Sequence, residues 1–286
     1  MANQNGYSRN GYSRNGHSRV KFKELRTTKN ILMEKTSTQL KVFGLIGFPL
    51  GHSFSKKYFT EKFEKLGILK ENIFELFELS DIQQFPELIK NQPNLGGLNV
   101  TIPHKQAIMP FLDGLDISAE KVGAVNVIKI SPDGKLIGYN SDYYGFKTSL
   151  ENYLKNVNFS NIKALVLGNG GAGKAVVAAL IDLGIDYKTV SRTKSEENIS
   201  YHEIPSLIAD YQLIINCSPV GTYPKSDQCP DIPYKLLTPN HYLYDLVYNP
   251  LETLFLQKGK EQNTHTHNGL LMLHLQAEKA WEIWHK

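Results

Sequence analysis

Val166-Leu167-Gly168-Asn169-Gly170-Gly171-Ala172-Gly173-Lys174 is the stretch on which the fold turns. The apolar residues 164–167 read as a strand and residues 174–183 as a helix, so four glycines fall where a strand must turn into a helix. In that context Gly168 permits a tight turn and Gly170 lets the backbone approach a pyrophosphate. The amides of the following helix start then receive the anion, and Ala172 and Gly173 allow close packing. A nucleotide triphosphatase loop shares most of the pattern from Gly168 to Lys174, but its last position needs a hydroxyl for magnesium and here it is Ala175. The dinucleotide reading is therefore preferred.

The end of the next strand, residues 188–191, bears on which dinucleotide. Ser191-Arg192-Thr193-Lys194 begins 23 residues after Gly168 and carries cations where a ribose-binding acid would select NAD. Arg192 can bond a 2′-phosphate in bidentate fashion or lie over the adenine, and Lys194 adds a point charge. Asp186 is expected to fall before the strand, poorly placed for the ribose. NADP(H) is thus the expected cofactor.

Outward from this turn the chain repeats strand and helix. Residues 213–216 and 242–247 continue the second series. Ahead of it, residues 42–47, 73–79 and 96–100 read as strands with an Asp81-initiated helix among them. Residues 126–130 and 136–139 flank Pro132-Asp133-Gly134 as a hairpin, and a helix follows Asp142 to about residue 154. Residues 269–284 place Leu270, Leu273, Ala277, Ala280, Trp281 and Trp284 at helical spacing, a face too apolar to stand alone.

The 286 residues, 41% of them apolar and 21% charged, suit two soluble α/β domains and exclude wholesale disorder. The longest apolar run, residues 175–181, is far too short to span a bilayer, so the chain is not expected to cross a membrane, any membrane role would have to be peripheral, and no membrane partner is expected. Two cysteines, Cys217 and Cys229, fit a reducing, cytoplasmic setting rather than a disulfide framework. His265 and His267 have no third ligand at suitable spacing, so they read as exposed loop histidines and no metal site is expected. His52 and His104 read as local hydrogen-bonding residues.

The net charge of +4 is misleading, because residues 1–40 hold eight Lys or Arg against two acids and leave the remainder at −2. That segment repeats a five-residue unit at 5–9, 10–14 and 15–19, low-complexity sequence read as a disordered basic tail with Met33 as a candidate start. Tyr interleaved with Arg admits a nucleic-acid reading, but a dispensable leader is preferred and no nucleic-acid partner is expected.

From residue 42 to 285 the order of motifs resembles the shikimate dehydrogenase family. Gly47-Phe48-Pro49 with His52-Ser53-Phe54-Ser55 is similar to its carboxylate segment, and Gly97-Leu98-Asn99-Val100-Thr101-Ile102-Pro103-His104-Lys105 to its catalytic-lysine segment. Gly123-Ala124-Val125-Asn126, Asn140-Ser141-Asp142-Tyr143-Tyr144-Gly145, Asp245-Leu246-Val247-Tyr248 and Gly269-Leu270-Leu271-Met272-Leu273 with Gln276 follow in family order. The resemblance implies an N-terminal α/β substrate domain, residues 41–142, completed by the C-terminal helix at 268–286. A Rossmann-like NADP-binding domain would occupy 143–267, with hinges near Asp142 and His267.

The resemblance also implies roles. Ser53 and Ser55 would hold the substrate carboxylate, and Thr101, Asn126, Tyr248 and Gln276 would position it. Lys105 and Asp142 would form the catalytic pair for NADPH-dependent reduction of 3-dehydroshikimate to shikimate. Gly168, Asn169, Gly170, Gly171, Ala172, Ser191, Arg192, Thr193 and Lys194 would bind the cofactor, with Leu246 and Gly269 beside the nicotinamide. A homodimer is the assembly entertained. Lys56, Tyr58-Phe59, Val127, Ser141 and Cys217 depart from the family's usual pattern, the first two near the carboxylate segment. A quinate or dual-specificity dehydrogenase using NAD is the near alternative, opposed by Ser53, Ser55 and Arg192. A catalytically silent regulatory module is the distant one, opposed by Lys105 and Asp142.

Overall fold

The computed structural model describes residues 1–2, 40–51, 53–193 and 195–286, so the repeats, Met33, His52 and Lys194 lie outside the described residues. Leu40–Lys286 form a single unit built on two six-stranded sheets.

The first sheet is assembled from β1 (Lys41–Gly47), α1 (Phe54–Lys65), β2 (Asn72–Glu78), α2 (Phe85–Asn91), β3 (Leu95–Val100), β4 (Gly114–Leu115), α3 (Ile117–Val122), β5 (Val127–Ile130) and β6 (Leu136–Tyr139). Its order is β2-β1-β3-β5-β6-β4. β1 runs parallel to both neighbours, whereas β5 is antiparallel to β3 and to β6, its partner in the expected hairpin. Asp81 caps a short 3-10 turn, Ile82–Gln84, ahead of α2 rather than heading one continuous helix.

The second sheet follows α4 (Ser141–Tyr153) and comprises β7 (Lys163–Leu167), α5 (Gly171–Asp182), β8 (Asp186–Ser191), β9 (Asn198–Ser200), α6 (Ile204–Leu207), β10 (Leu213–Asn216), β11 (Tyr242–Asp245), α7 (Leu254–Lys260) and β12 (His265–His267). Every strand pair in it is parallel, in the order β12-β11-β10-β7-β8-β9. All of β10, and all of β7 after Lys163, is buried, as expected of parallel strands covered on both faces. The chain winds outward from β7 to β9 and returns to β10 on the other side of β7. The switch point, where open α/β sheets leave a ligand crevice, therefore falls at the carboxyl ends of β7 and β10.

Three expectations are corrected here. Asp186 is the first residue of β8, paired with Lys163, not a residue before it. His265 and His267 form edge strand β12 rather than a loop. His267 is half-buried, its ring stacked on Tyr153 at 4.7 Å and its Nε2 3.3 Å from Ser149 Oγ. Burial lowers its pKa.

The last helix, α8 (Leu270–His285), packs Ala277, Ala280, Ile283 and Trp284 against Phe43, Phe59, Phe63 and Phe74 of the first sheet and α1. Trp284 Nε1 donates to the Ile128 carbonyl at 3.2 Å, so its polar atom is satisfied in the core. Removing such a side chain costs about 3–5 kcal/mol. Among the described residues no helix is long and apolar enough to cross a membrane.

Candidate active site

Lys105 stands in the turn after β3, held by its own backbone. His104 is buried with Nε2 2.6 Å from the Leu79 carbonyl, and the Lys105 carbonyl accepts from Val125 N–H at 2.7 Å. Asp142 is the second residue of α4. Its N-cap, Asn140, accepts from Tyr143 N–H at 3.0 Å and donates Nδ2 to the Ala124 carbonyl at 2.8 Å. Two separately locked segments thus bring Lys105 Nζ to 2.5 Å from Asp142 Oδ2, with side chains 16% and 10% exposed. A charge-assisted bond in so sheltered a place is stronger than a surface pair.

Asn126 and Gln276, two of the candidate substrate residues, meet at Ser141, the residue before Asp142. Asn126 and Ser141 bond reciprocally: Asn126 Nδ2 donates to Ser141 Oγ at 3.0 Å, and Ser141 N–H donates to Asn126 Oδ1 at 2.6 Å. Gln276 of α8 joins them, its Oε1 3.4 Å from Ser141 Oγ. Thr101 follows β3, its N–H bonded to the Ile46 carbonyl at 2.8 Å. Ser53 is the N-cap of α1, accepting from Lys56 N–H at 3.4 Å, and Ser55 lies in the first turn. The helix N-terminus there favours a carboxylate. Tyr248 reaches the same end, its ring 5.8 Å from that of Phe54.

The glycine turn meets the pair from the other side. Gly168 has φ +115°, a conformation for which side chains are strained, and its N–H bonds the Val190 carbonyl at 2.9 Å. A Cβ on Gly173 would sit 2.3 Å from the Gly168 carbonyl oxygen, so helix and turn approach as closely as the fingerprint requires. α5 starts at Gly171, with Gly170 as a cap that offers no side chain, so the first amides, including those of Gly171 and Ala172, remain for a ligand. A Cβ on Gly171 would lie 3.2 Å from Lys105 Cδ, which sets the turn directly against the catalytic-lysine candidate. Asn169 lies within that turn.

Ser191 ends β8 beside Gly168, with its Oγ bonded to the Thr193 carbonyl, and Arg192 and Thr193 are exposed at the rim. Asp186 sits at the opposite end of that strand, on the order of 16 Å away. Leu246 N–H donates to the Asn216 carbonyl at 3.0 Å, and Gly269 N–H to the Val247 carbonyl at 3.1 Å, which puts Leu246 and Gly269 side by side. Beneath them Asp245 is fully buried. It accepts from Thr253 Oγ1 at 2.5 Å, Asn216 Nδ2 at 2.9 Å and Val247 N–H at 3.0 Å. Burial pushes its carboxyl up to about 6 even so. Burial likewise raises the Cys217 thiol, next to the glycine turn.

The family model described as the shikimate dehydrogenase substrate binding domain matches residues 45–128. A curated shikimate dehydrogenase (NADP(+)) from Clostridium beijerinckii is 41% identical over 257 residues, covering 86% of this chain and 92% of its own. The chain belongs to the shikimate dehydrogenase family. Two solved members of similar type superpose on it. A chorismate mutase/shikimate 5-dehydrogenase fusion protein from Clostridium acetobutylicum has a TM-score of 0.77 and 37% identity over 86% of this chain and 91% of that one. The enzyme from Thermus thermophilus, solved with NADP(H) and shikimate, has a TM-score of 0.71 and 30% identity over 86% and 93%.

Within this family frame the residue that sequence reasoning passed over is Asn99. It lies in β3 two residues before Thr101, is 4% exposed, and its Oδ1 has no partner. A buried acceptor without a donor is costly unless something supplies one. The available signal was a lone amide inside the apolar run of β3.

Proposed function

We propose that the chain catalyses the reversible NADPH-dependent reduction of 3-dehydroshikimate to shikimate. The observation that carries this reading is the sheltered Lys105–Asp142 pair lying directly against Gly171 of the dinucleotide turn.

The residues fit the cofactor. Uncapped amides at the start of a 12-residue helix suit a pyrophosphate, and Arg192, the residue after β8, suits a 2′-phosphate. When bound, NADPH supplies the hydride for the ring ketone. Lys105 answers the negative charge that then develops on the substrate oxygen. Its ammonium stabilises that charge and releases a proton from Nζ to it, and takes the proton back in the oxidative direction. Asp142 keeps the ammonium aimed and accepts from the same hydroxyl. Ser53, Ser55 and Tyr248 hold the carboxylate end, while Thr101, Asn126 and Gln276 hold the rest. A site made of hydroxyls and amides suits a polyhydroxylated acid and rejects analogues that leave those groups unpaired. The names of the chain's relatives, shikimate dehydrogenase (NADP(+)), support the same substrate and cofactor.

The reading includes a substrate domain of residues 41–142 and 268–286, an NADP domain of residues 143–267, a cytoplasmic setting supported by the free cysteines Cys217 and Cys229, and a homodimer as the assembly for sedimentation to examine. The test of function is turnover of purified protein with shikimate or quinate, each crossed with NADP or NAD. Turnover is expected to be highest with shikimate and NADP; activity confined to quinate and NAD, or none at all, would overturn the reading.

A further inference from the structure

Phe54 lies between Ser53 and Ser55 in sequence, and its ring packs into a small aromatic cluster. Three rings surround it. Tyr58 stacks on it at 5.3 Å and 25°, His274 meets it edge-on at 5.4 Å and 82°, and Tyr248 meets it edge-on at 5.8 Å and 60°. Tyr58 and His274 are themselves 5.6 Å apart. The cluster therefore joins α1, α8 and the turn after β11, which leaves the second sheet.

One side of this cluster is anchored and the other is not. Tyr58 donates its hydroxyl to Glu278 of α8, and Lys62 Nζ holds the same carboxylate at 2.6 Å. Lys62 also lies 5.5 Å from the Trp281 ring centroid, which fixes it against α8. By contrast, the Tyr248 hydroxyl makes no hydrogen bond among the described residues. Burial raises its pKa, so it stays neutral and able to donate. With a free hydroxyl, the orientation of the Tyr248 ring rests on what touches its face and edge.

We propose that Phe54 is a positioning residue for substrate binding: held by Tyr58 and His274, it fixes the ring of Tyr248 so that the phenol points at the carboxylate end of the site. The inference rests on the reading of Tyr248 as a substrate-positioning residue. Edge-to-face ring pairs of this kind are worth roughly three- to tenfold in an equilibrium constant.

The test is a double-mutant cycle in the full chain, reading kcat and both KM values for wild type, Phe54→Leu, Tyr248→Phe and the double variant. Phe54→Leu is expected to raise KM for shikimate by roughly three- to tenfold while kcat and KM for NADP stay within about twofold. Phe54→Tyr, which keeps the ring, is expected to restore the wild-type KM. Added to Tyr248→Phe, Phe54→Leu should raise KM further by no more than about twofold. Phe54→Met repeats the measurement should Phe54→Leu lose its fold. If Phe54→Leu raises KM by the same factor with and without the Tyr248 hydroxyl, Phe54 does not act through it and the inference is wrong. If Tyr248→Phe alone leaves KM for shikimate unchanged, the role given to Tyr248 fails first and the inference falls with it.

Discussion

The turn after β7 and the segment after β3 both lie at carboxyl ends of parallel strands, yet they offer a ligand opposite things. The first presents mostly backbone: Gly168, Gly170, Gly171, Ala172 and Gly173 contribute amides and space, and Asn169 is the one residue of the turn with a side chain larger than a methyl group. The second presents side chains: Asn99, Thr101 and Lys105, completed by Asn126, Asp142 and Gln276, all but Thr101 and Lys105 buried. A site made of backbone is damaged by adding atoms, because closely packed turns have no room to yield. A site made of polar side chains is damaged by removing atoms, because the partner left behind is buried and unsatisfied.

Lys105→Met puts the largest strain on that contrast. It keeps an unbranched stem against Gly171 but removes the charge, so kcat should fall by about 10²–10⁴-fold, with NADP affinity within about twofold. Stopped-flow turnover and fluorescence titration of NADP check the two halves. A loss of kcat under tenfold would remove the role given to this ammonium.

Asp245 is where the comparison sharpens, since it is a buried carboxylate on the backbone-presenting side. Its native pKa of about 6 lies above the ordinary 3.8. Between those values the folded chain holds a proton that the unfolded chain has released. Stability therefore falls as pH rises from about 4 to about 6, by at most about 3 kcal/mol, and this contribution is flat above that. Urea unfolding of wild type and Asp245→Asn across this range should show wild type losing ground relative to the variant by that amount; parallel curves would contradict it.

Gly173→Ala tests the other half directly. The new Cβ meets the Gly168 carbonyl oxygen at 2.3 Å, so the turn must shift at a cost of about 1–3 kcal/mol. KM for NADP should rise by roughly ten- to a hundredfold, with a lowered Tm and little change in KM for shikimate. A normal KM for NADP would mean that the turn does not carry the pyrophosphate.

Arg192→Ala carries the smallest expected effect, because the side chain is exposed. NADP should weaken by roughly tenfold and NAD by no more than about twofold, measured by titration of each dinucleotide. Equal weakening would show that the 2′-phosphate is read elsewhere.

The same division explains what could be read ahead of the structure. Buried parallel strands such as β7 and β10 are apolar from end to end, and a glycine cluster between strand and helix leaves few alternatives, so the second sheet was legible at its centre. Its edges were not, because β9 and β12 are three residues each with at most one apolar residue between them, Ile199, and His265 and His267 carry no strand signal of their own. Lys105 and Asp142 were legible as a pair only through the family resemblance, because what brings them together is tertiary structure, the Asn140 cap and the Lys105–Val125 backbone bond. Asn99 escaped because one amide in a strand says nothing of whether it is satisfied. Phe54 escaped because two of the three rings around it, Tyr248 and His274, lie some 200 residues further along the chain.

A crystal structure with NADP and shikimate bound together is the most direct test of the whole account. It should show Lys105 Nζ within about 2.6–3.2 Å of the hydroxyl oxygen on the ring carbon that is oxidised and reduced, Asp142 on the same oxygen, and the pyrophosphate on the amides from Gly170 to Ala172. Shikimate bound out of reach of Lys105, or the dinucleotide lying away from the glycine turn, would contradict it.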